Sequence, residues 1–455
     1  MDPTKRIRDP VHGLITFDLG EEVDRAAWRL LNTEEFQRLR RVKQLGVSEF
    51  TFPGATHTRL AHCIGVFNVA RSLMRVAERH IPRAERKEHR ERVALLAALL
   101  HDLGHGPFSH AFEEAEKARL REHPGRYKNH EKWTAEIITR QGGEVRNVLN
   151  DAFGGSMADE IAQLLTSEPS DVYSAVVSSS FDADRLDYLQ RDKMMTGSGA
   201  GAIDFDWLID NLRVTKVQPD LDESGEELAE AQIATFCFAE KAAQAAEAFI
   251  LARYHLYAQV YFHKTTRGIE QLLGAFLRIM AGVVADKRND TLYLSSDHPL
   301  VSYYSAEAPS LNQYLALDDT VVWSAIEAAS RSDNKAASTL AKRLRTRGRL
   351  KAVEIAVEHP TSTDRARKAY IEGDLAGQID KTIFRDRVPL TVYGGLGAAD
   401  GKPHKRVRIL RAGDERAVDI TGVSKAVAAL TEKQELLRYY FVDEAVCDRV
   451  LRVRG

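Results

Sequence analysis

This chain has few cysteines, no long apolar runs and almost no net charge. Three of its 455 residues are cysteines, and Cys63, Cys237 and Cys447 stand far apart in the sequence. An odd number of widely spaced cysteines argues against a disulfide framework and favours a reducing compartment. The formal net charge of −2 provides no overall attraction to nucleic acid or to an anionic membrane.

Export and membrane signals are also missing. The N-terminal residues MDPTKRIRDP contain no apolar segment of the kind found in signal peptides. No window approaches the roughly 18 to 20 uninterrupted apolar residues of a membrane-spanning helix. The sequence therefore predicts a soluble, cytoplasmic protein with no membrane partner.

Helical periodicity dominates the chain, with apolar residues spaced three and four positions apart. This pattern predicts a helical body over residues 1–290, including an Ala- and Leu-rich helical region over 228–284. Further on, alternation typical of a strand occurs over Pro389–Tyr393, and Thr431–Val450 is predicted to return to helix. The expected fold is mainly α, with a smaller α+β C-terminal lobe over residues 291–455.

The densest group of chemistry-bearing residues is HDLGHGPFSH at 101–110, which directly follows the apolar run Val93–Leu100. His101 and Asp102 thus stand at the end of a buried helix, where an imidazole and a carboxylate are costly unless something compensates them. A metal ion does so, because it prefers neutral imidazole and ionised carboxylate as ligands. The sequence therefore predicts a hydrolytic metal centre that needs one or two further protein ligands.

Two residues elsewhere in the chain can supply the missing ligands. His62 lies in the otherwise aliphatic helical segment RLAHCIGVFNVA, and Asp184 lies in FDADRLDYLQRD. Asp182, Asp187 and Asp192 are rivals of Asp184 for the last ligand position. Spacing alone does not choose among these four carboxylates.

The order His62, His101–Asp102, Asp184 matches the H…HD…D signature of the HD-domain metal-dependent phosphohydrolases. Within them, the chain most closely resembles the deoxynucleoside triphosphate triphosphohydrolases of the sterile-alpha-motif and HD-domain type and their bacterial relatives. The blocks that carry the resemblance run in order through the first 265 residues: RDPVHGLI, FQRLRRVKQLG, TFPGATHTRLAHCIGV, HDLGHGPFSH, DADRLDYLQRD and YHLYAQVYFHK.

The resemblance implies a metal centre and the residues around it. One divalent ion, either Mn, Fe, Zn or Mg, would be held by His62, His101, Asp102 and Asp184, and a second Mg would accompany the triphosphate. The ion would polarise the α-phosphate and activate water. The resemblance implies that proton transfer near this phosphate involves His105, His110, Glu113 and His130. The products would be a deoxynucleoside and inorganic triphosphate.

The resemblance also implies contacts with the substrate and with partners. The cations that would neutralise the triphosphate are Arg59, Arg185, Arg253 and Lys264. The residues that would hold the deoxyribose are Gln44, Tyr188, Asp192 and Tyr261. Homo-oligomers, dimers or tetramers, are expected. The need for a nucleotide activator stays open, because Asn32 stands where a carboxylate would read guanine.

Two other functions are compatible with the same residues. One is an HD-type phosphodiesterase or nucleotidase acting on other nucleotides or on oligonucleotides, and the other is a nucleotide-binding regulator with vestigial hydrolysis. Arg59, Arg253 and Lys264 argue against the first, because a monophosphate substrate does not need them. The intact ligand set argues against the second. The basic run KRLRTRGRLK at 342–351 lacks the interleaved aromatic residues that stack on bases, which argues against nucleic-acid binding.

Overall fold

The structure is a computed structural model that describes residues 3–200, 203–217, 233–390, 393, 403–414, 416–432 and 434–455. Helices dominate these residues, which confirms the prediction of a mainly α fold. Three small sheets accompany the helices in this part of the chain.

The N-terminal half consists of a β-hairpin followed by helices. Strands β1 (Thr4–Asp9) and β2 (Gly13–Asp18) pair antiparallel, with Asp9 opposite Gly13. The helices are α1 (Glu22–Leu30), α2 (Glu34–Arg38), α3 (Arg59–His80), α4 (Glu88–Leu100), α5 (His110–Arg119), α6 (His130–Thr139), α7 (Glu144–Phe153), α8 (Met157–Thr166), α9 (Val172–Val177) and α10 (Ala183–Thr196). Every residue of α4 from Val93 to Leu100 is buried, because this helix packs against α3, α8 and α9.

The C-terminal half mixes helices with short strands. In chain order, its elements are α11 (Phe205–Asp210), β3 (Leu212–Val217), β4 (Ile233–Ala239), α12 (Ala243–Leu256), α13 (Lys264–Ala285), α14 (Pro299–Ser305), α15 (Leu311–Leu315), α16 (Asp319–Ser330), α17 (Lys335–Arg345), β5 (Lys351–Ile355), α18 (Ser362–Glu372), β6 (Ile383–Pro389), β7 (Arg408–Leu410), β8 (Val418–Asp419), α19 (Lys425–Ala429), β9 (Glu435–Phe441) and α20 (Glu444–Arg452). The strands form sheets in the orders β3-β4-β7-β8 and β5-β9-β6.

Two segments that the sequence predicts as helices contain strands. The helical prediction over 228–284 is wrong at β4, which pairs antiparallel with β3. The prediction over Thr431–Val450 is wrong at β9, which is the central strand between β5 and β6. The strand predicted over Pro389–Tyr393 begins where β6 ends, and residues 391–392, like 228–232, lie outside the described residues.

The buried apolar side chains form three clusters. The first lies between α3, α4, α8 and α10, the second joins α5 and α13 to α14–α17, and the third lies between the β5-β9-β6 sheet, α18 and α20. Among the described residues, α13 is the one helix long and apolar enough to cross a membrane, but 67% of its apolar window is buried inside the protein. The predicted division of the chain at residue 290 stays a prediction.

Candidate metal centre

The four predicted metal ligands come from three elements and lie together. His62 is in the first turn of α3, His101 and Asp102 directly follow α4, and Asp184 is in the first turn of α10. His62 Nε2 lies 3.0 Å from Asp184 Oδ1, and His101 Nε2 lies 3.8 Å from the same oxygen. Asp102 has Oδ1 3.3 Å from His101 Nε2 and Oδ2 3.8 Å from His62 Nε2.

The donor atoms of this cluster fit a bound divalent cation. Nδ1 of His62 lies 2.7 Å from Asp187 Oδ2, and Nδ1 of His101 lies 3.0 Å from the Ala98 carbonyl oxygen. Both Nε2 atoms are buried and make no hydrogen bond to any described residue. One donor atom each from His62, His101 and Asp184 lies within 4.8 Å of the others. Ligands at bond lengths of about 2.1 Å stand roughly 3.0 to 3.4 Å apart around one ion, so the spacing is suitable.

The charges of the cluster support the same conclusion. Burial would lower the pKa of His62, but the carboxylates of Asp184 and Asp187 beside its two nitrogens outweigh it and raise this pKa to about 10. Burial would raise the pKa of Asp102, but the Arg59 guanidinium and nearby imidazoles hold it well below its usual range. The carboxylates of the cluster therefore stay ionised and favour a positive charge between them. A bound divalent cation provides this charge and allows His62 to be neutral.

A second cluster contains the three histidines for which the family resemblance implies a catalytic role. The ring centroids of His105 and His130 are 4.0 Å apart, and the His110 ring lies 5.2 Å from His105 and 5.6 Å from His130. Glu113 Oε2 is 3.0 Å from His130 Nδ1 and 3.3 Å from His110 Nδ1. Burial would raise the pKa of Glu113, but these imidazoles hold it well below its usual range. Glu113 thus orients two rings and leaves their Nε2 atoms for other partners.

The loop between α4 and α5 connects the two clusters. His105 Nε2 lies 3.2 Å from Asp102 Oδ1, so the metal ligand and the histidine cluster are in direct contact. Phe108 and Ser109 adopt left-handed backbone conformations, with φ angles of 53° and 55°. Such angles are strained for residues other than glycine. Asp319 of α16 supports the turn by accepting the Phe108 backbone N–H at 2.7 Å.

Three of the four residues predicted to hold the sugar meet beside α10. Tyr188 and Asp192 lie four and eight residues after Asp184, so the three residues share one face of the helix. The Tyr261 hydroxyl donates to Asp192 Oδ2 at 2.6 Å, and the Tyr261 ring centroid is 6.2 Å from that of Tyr188. The fourth residue, Gln44, has a buried Oε1 without a hydrogen-bond partner among the described residues.

The predicted phosphate-binding cations have different surroundings. Arg59 donates to Asp102, and Arg185 donates to Asp182. The Arg253 guanidinium lies 5.6 Å from the Tyr257 ring centroid, and its buried Nε has no hydrogen-bond partner among the described residues.

Lys264 is exposed at the start of α13 and lines a surface cavity of about 580 Å³ together with Arg343, Arg349 and Lys351. None of the residues lining that cavity is a predicted metal ligand. The role of Lys264 as a phosphate-binding cation stays a prediction.

Sequence reasoning missed the residues behind the ligands. Asp187, which the sequence treats as a rival ligand, contacts the Nδ1 side of His62 rather than the Nε2 side. His12 Nε2 lies 2.6 Å from Asp187 Oδ1, and His57 Nε2 lies 2.8 Å from Asp192 Oδ1. No periodicity marks His12 or His57, because their partners are more than 130 residues away; the signal available was their place in RDPVHGLI and TFPGATHTRLAHCIGV.

Comparison with known proteins agrees with this geometry. Residues 59–190 match the HD domain, and residues 203–315 match the HD associated region. The chain is 33% identical over 351 residues to the uncharacterized protein YwfO of Bacillus subtilis, covering 77% of this chain and 72% of that protein. It is 30% identical over 276 residues to the deoxynucleoside triphosphate triphosphohydrolase SAMHD1 homolog of Dictyostelium discoideum, covering 59% of this chain and 48% of that protein.

A solved structure shares the fold. The crystal structure of the phosphohydrolase BT4208 from Bacteroides thetaiotaomicron superposes with a TM-score of 0.73 at 23% identity, covering 97% of this chain and 100% of that one. The donor set, the matched regions and the similarity to YwfO lead to one assignment. The chain belongs to the family of HD-domain phosphohydrolases, metal-dependent hydrolases in which an HD-associated region follows the HD domain.

Proposed function

We propose that this protein hydrolyses deoxynucleoside triphosphates to a deoxynucleoside and inorganic triphosphate. The observation that carries the proposal is one face of α10, on which Asp184, Tyr188 and Asp192 follow at four-residue steps. This face joins a metal ligand to a tyrosine–carboxylate pair, an arrangement suited to a phosphate at one end and a sugar at the other. The name of the Dictyostelium relative supports the same substrate class.

In this reaction the histidine cluster transfers a proton to the leaving group. A divalent cation on His62, His101, Asp102 and Asp184 supplies Lewis-acid polarisation of the α-phosphoryl group and activation of water. Glu113 accepts hydrogen bonds from Nδ1 of His110 and of His130. In its doubly protonated form, His110 also carries a proton on Nε2, which it donates to the leaving 5′-oxygen. The side chain of His110 is 67% exposed, so it can be reached by a substrate.

In the proposed complex, the sugar binds at the tyrosine–carboxylate pair. His57 and Tyr261 each contact a different oxygen of Asp192, so the carboxylate is held in one orientation. It can accept a hydrogen bond from the 3′-hydroxyl. The Tyr261 ring then packs against the sugar and leaves no room for a 2′-hydroxyl, which provides selection against ribonucleotides.

The surroundings of the predicted phosphate-binding arginines favour a second candidate function. Arg253 has a buried Nε without a partner among the described residues, and we propose that it binds the triphosphate. Arg59 and Arg185, in contrast, are engaged by Asp102 and Asp182. This engagement favours, as second candidate, an HD-type nucleotidase or phosphodiesterase whose substrate carries fewer phosphates.

The deciding experiment incubates the purified protein with Mn²⁺ and each deoxynucleoside triphosphate, singly and mixed, and identifies the products by chromatography. Deoxynucleoside with intact triphosphate is the expected result, and Asp102→Ala serves as the inactive control. Turnover of the mixture alone would indicate a nucleotide activator. Turnover of monophosphates or oligonucleotides, without triphosphate release, would favour the second candidate. Homo-oligomers stay a prediction that light scattering of the same sample can test.

A further inference from the structure

Asp187 is a fully buried carboxylate, and each of its two oxygens accepts two hydrogen bonds. Its Oδ2 lies 2.7 Å from His62 Nδ1 and 2.8 Å from Arg191 Nε. Its Oδ1 lies 2.6 Å from His12 Nε2 and 2.9 Å from a terminal nitrogen of Arg191. A carboxylate beside a buried guanidinium acts only as an acceptor.

The contact with Asp187 determines which nitrogen of His62 faces the other ligands. Because Asp187 accepts at Nδ1, the proton of the neutral imidazole resides on Nδ1, and the lone pair of Nε2 points towards Asp184 and His101. The ring orientation is thus set before any cation binds, and loss of the Nε2 proton leaves the tautomer that a cation needs. This is the arrangement in which a carboxylate behind a histidine strengthens it as a ligand.

The N-terminal hairpin holds Asp187 in place. His12 lies in the turn between β1 and β2, and Asp9 Oδ1 accepts the backbone N–H groups of Val11 and His12, both at 2.9 Å. The other oxygen of Asp9 accepts from Arg191 at 2.9 Å. The turn therefore contacts Asp187 directly through His12, and Asp9 contacts it indirectly through Arg191.

Gly65 shows that α3 makes room for this carboxylate. A Cβ at position 65 would lie 1.9 Å from Asp187 Oδ1 and 2.4 Å from a terminal nitrogen of Arg191. Gly65 is one turn after His62 on the same helix. A glycine inside a helix is destabilising relative to alanine, and here it permits the close approach of Asp187.

We infer that Asp187 is a positioning residue of the metal centre, and that His12 of the N-terminal hairpin fixes its orientation. The inference rests on the metal centre of the proposed function but not on the identity of the substrate. The hairpin thereby contributes to metal affinity without supplying a ligand.

Metal affinity measured without substrate tests this inference. Asp187→Asn places an amide against His62 and Arg191, and we expect Co²⁺ or Mn²⁺ to bind roughly 10- to 100-fold more weakly in chelator competition, with an altered Co²⁺ absorption spectrum. His12→Asn removes the imidazole contact, and we expect a smaller loss of affinity in the same direction. Asp171→Asn is the matched control, because Asp171 caps α9 and pairs with Arg90 away from the site; its metal affinity should equal that of the wild type.

A folded Asp187→Asn protein with wild-type affinity and spectrum overturns the inference. If that variant does not fold, His12→Asn decides, and unchanged metal affinity in it is the contradicting result. A wild type that binds no divalent ion also overturns it. A wild type that binds metal but hydrolyses no deoxynucleoside triphosphate refutes the proposed function alone.

Discussion

Replacing Arg191 with methionine should destabilise the protein far more than removing an ordinary surface arginine. The Arg191 side chain is 1% exposed, and its partners Asp187 and Asp9 are 0% and 5% exposed. Methionine is similar in length but carries no charge, so the variant leaves two buried carboxylates without their guanidinium. Removing one partner from a buried charge network costs about 3 to 5 kcal/mol.

Arg29→Met provides the comparison for this prediction. Arg29 pairs with Asp151 at 2.8 Å, but the two side chains are 44% and 63% exposed. Such surface pairs contribute about 0 to 1 kcal/mol. The two substitutions are chemically identical, so the difference between them isolates the effect of burial.

Urea denaturation of both variants, followed by tryptophan fluorescence in the presence of a chelator, measures this difference. We expect the free energy of unfolding of Arg191→Met to fall by about 3 kcal/mol or more, a change of roughly 100-fold or more in the folding equilibrium. Asp9→Asn combined with Arg191→Met should cost less than the sum of the single changes, because one unpaired charge disappears. A loss below about 1 kcal/mol for Arg191→Met, equal to that of Arg29→Met, would refute the reasoning.

Three further predictions concern the site and its support. Asp102→Ala should abolish both bound metal and hydrolase activity, measured by elemental analysis and product release; an active protein without metal would contradict the metal centre. Tyr261→Phe removes the hydrogen bond to Asp192 Oδ2 at 2.6 Å, so discrimination between deoxyribonucleotides and ribonucleotides should fall, and an unchanged ratio of kcat/KM values argues against the sugar assignment. Burial raises the pKa of Asp319 to about 6, although backbone N–H groups such as that of Phe108 oppose it. This folded-state pKa lies above the unfolded value, so the stabilisation by Asp319 is complete below about pH 4 and is lost as pH rises through 6. The stability of wild type relative to Asp319→Asn should therefore fall by about 2 kcal/mol between pH 4 and 7, and a constant difference in urea denaturation would be the contrary result.

The sequence predicts the parts of this molecule that depend on local pattern. Helices α3 and α10 follow from apolar residues at three- and four-residue steps and α4 follows from its uninterrupted apolar run, and the ligands lie at or next to the ends of these helices. Strands β4 and β9 do not follow from local pattern, because each is fixed by distant partners: Leu437 of β9 pairs with Ile355 and with Arg387. An isolated apolar segment of this length is compatible with either structure, and long-range pairing decides.

The roles of individual charged residues were similarly hidden from local pattern. Asp184, Asp187 and Asp192 are aspartates of the same helix, so residue type alone does not predict which one faces Nε2 of His62. The answer depends on contacts across 122 and 125 residues, since Asp184 meets one nitrogen of that ring and Asp187 meets the other. Arg59 could be predicted as a cation of the site, but its engagement by Asp102 depends on the folded loop after α4.

The inward face of α10 connects stability with the proposed chemistry. Asp184, Asp187, Tyr188, Arg191 and Asp192 fall within an arc of about 140° around the helix axis. A helix with so many charges towards the protein interior is stable only when each charge has a partner. Those partners are the groups that define the site: His62, His12, His57, Tyr261 and Asp9. A substitution on this face therefore changes the free energy of unfolding and the geometry of the metal and sugar sites together, whereas Leu186 and Leu189 on the opposite side affect packing alone.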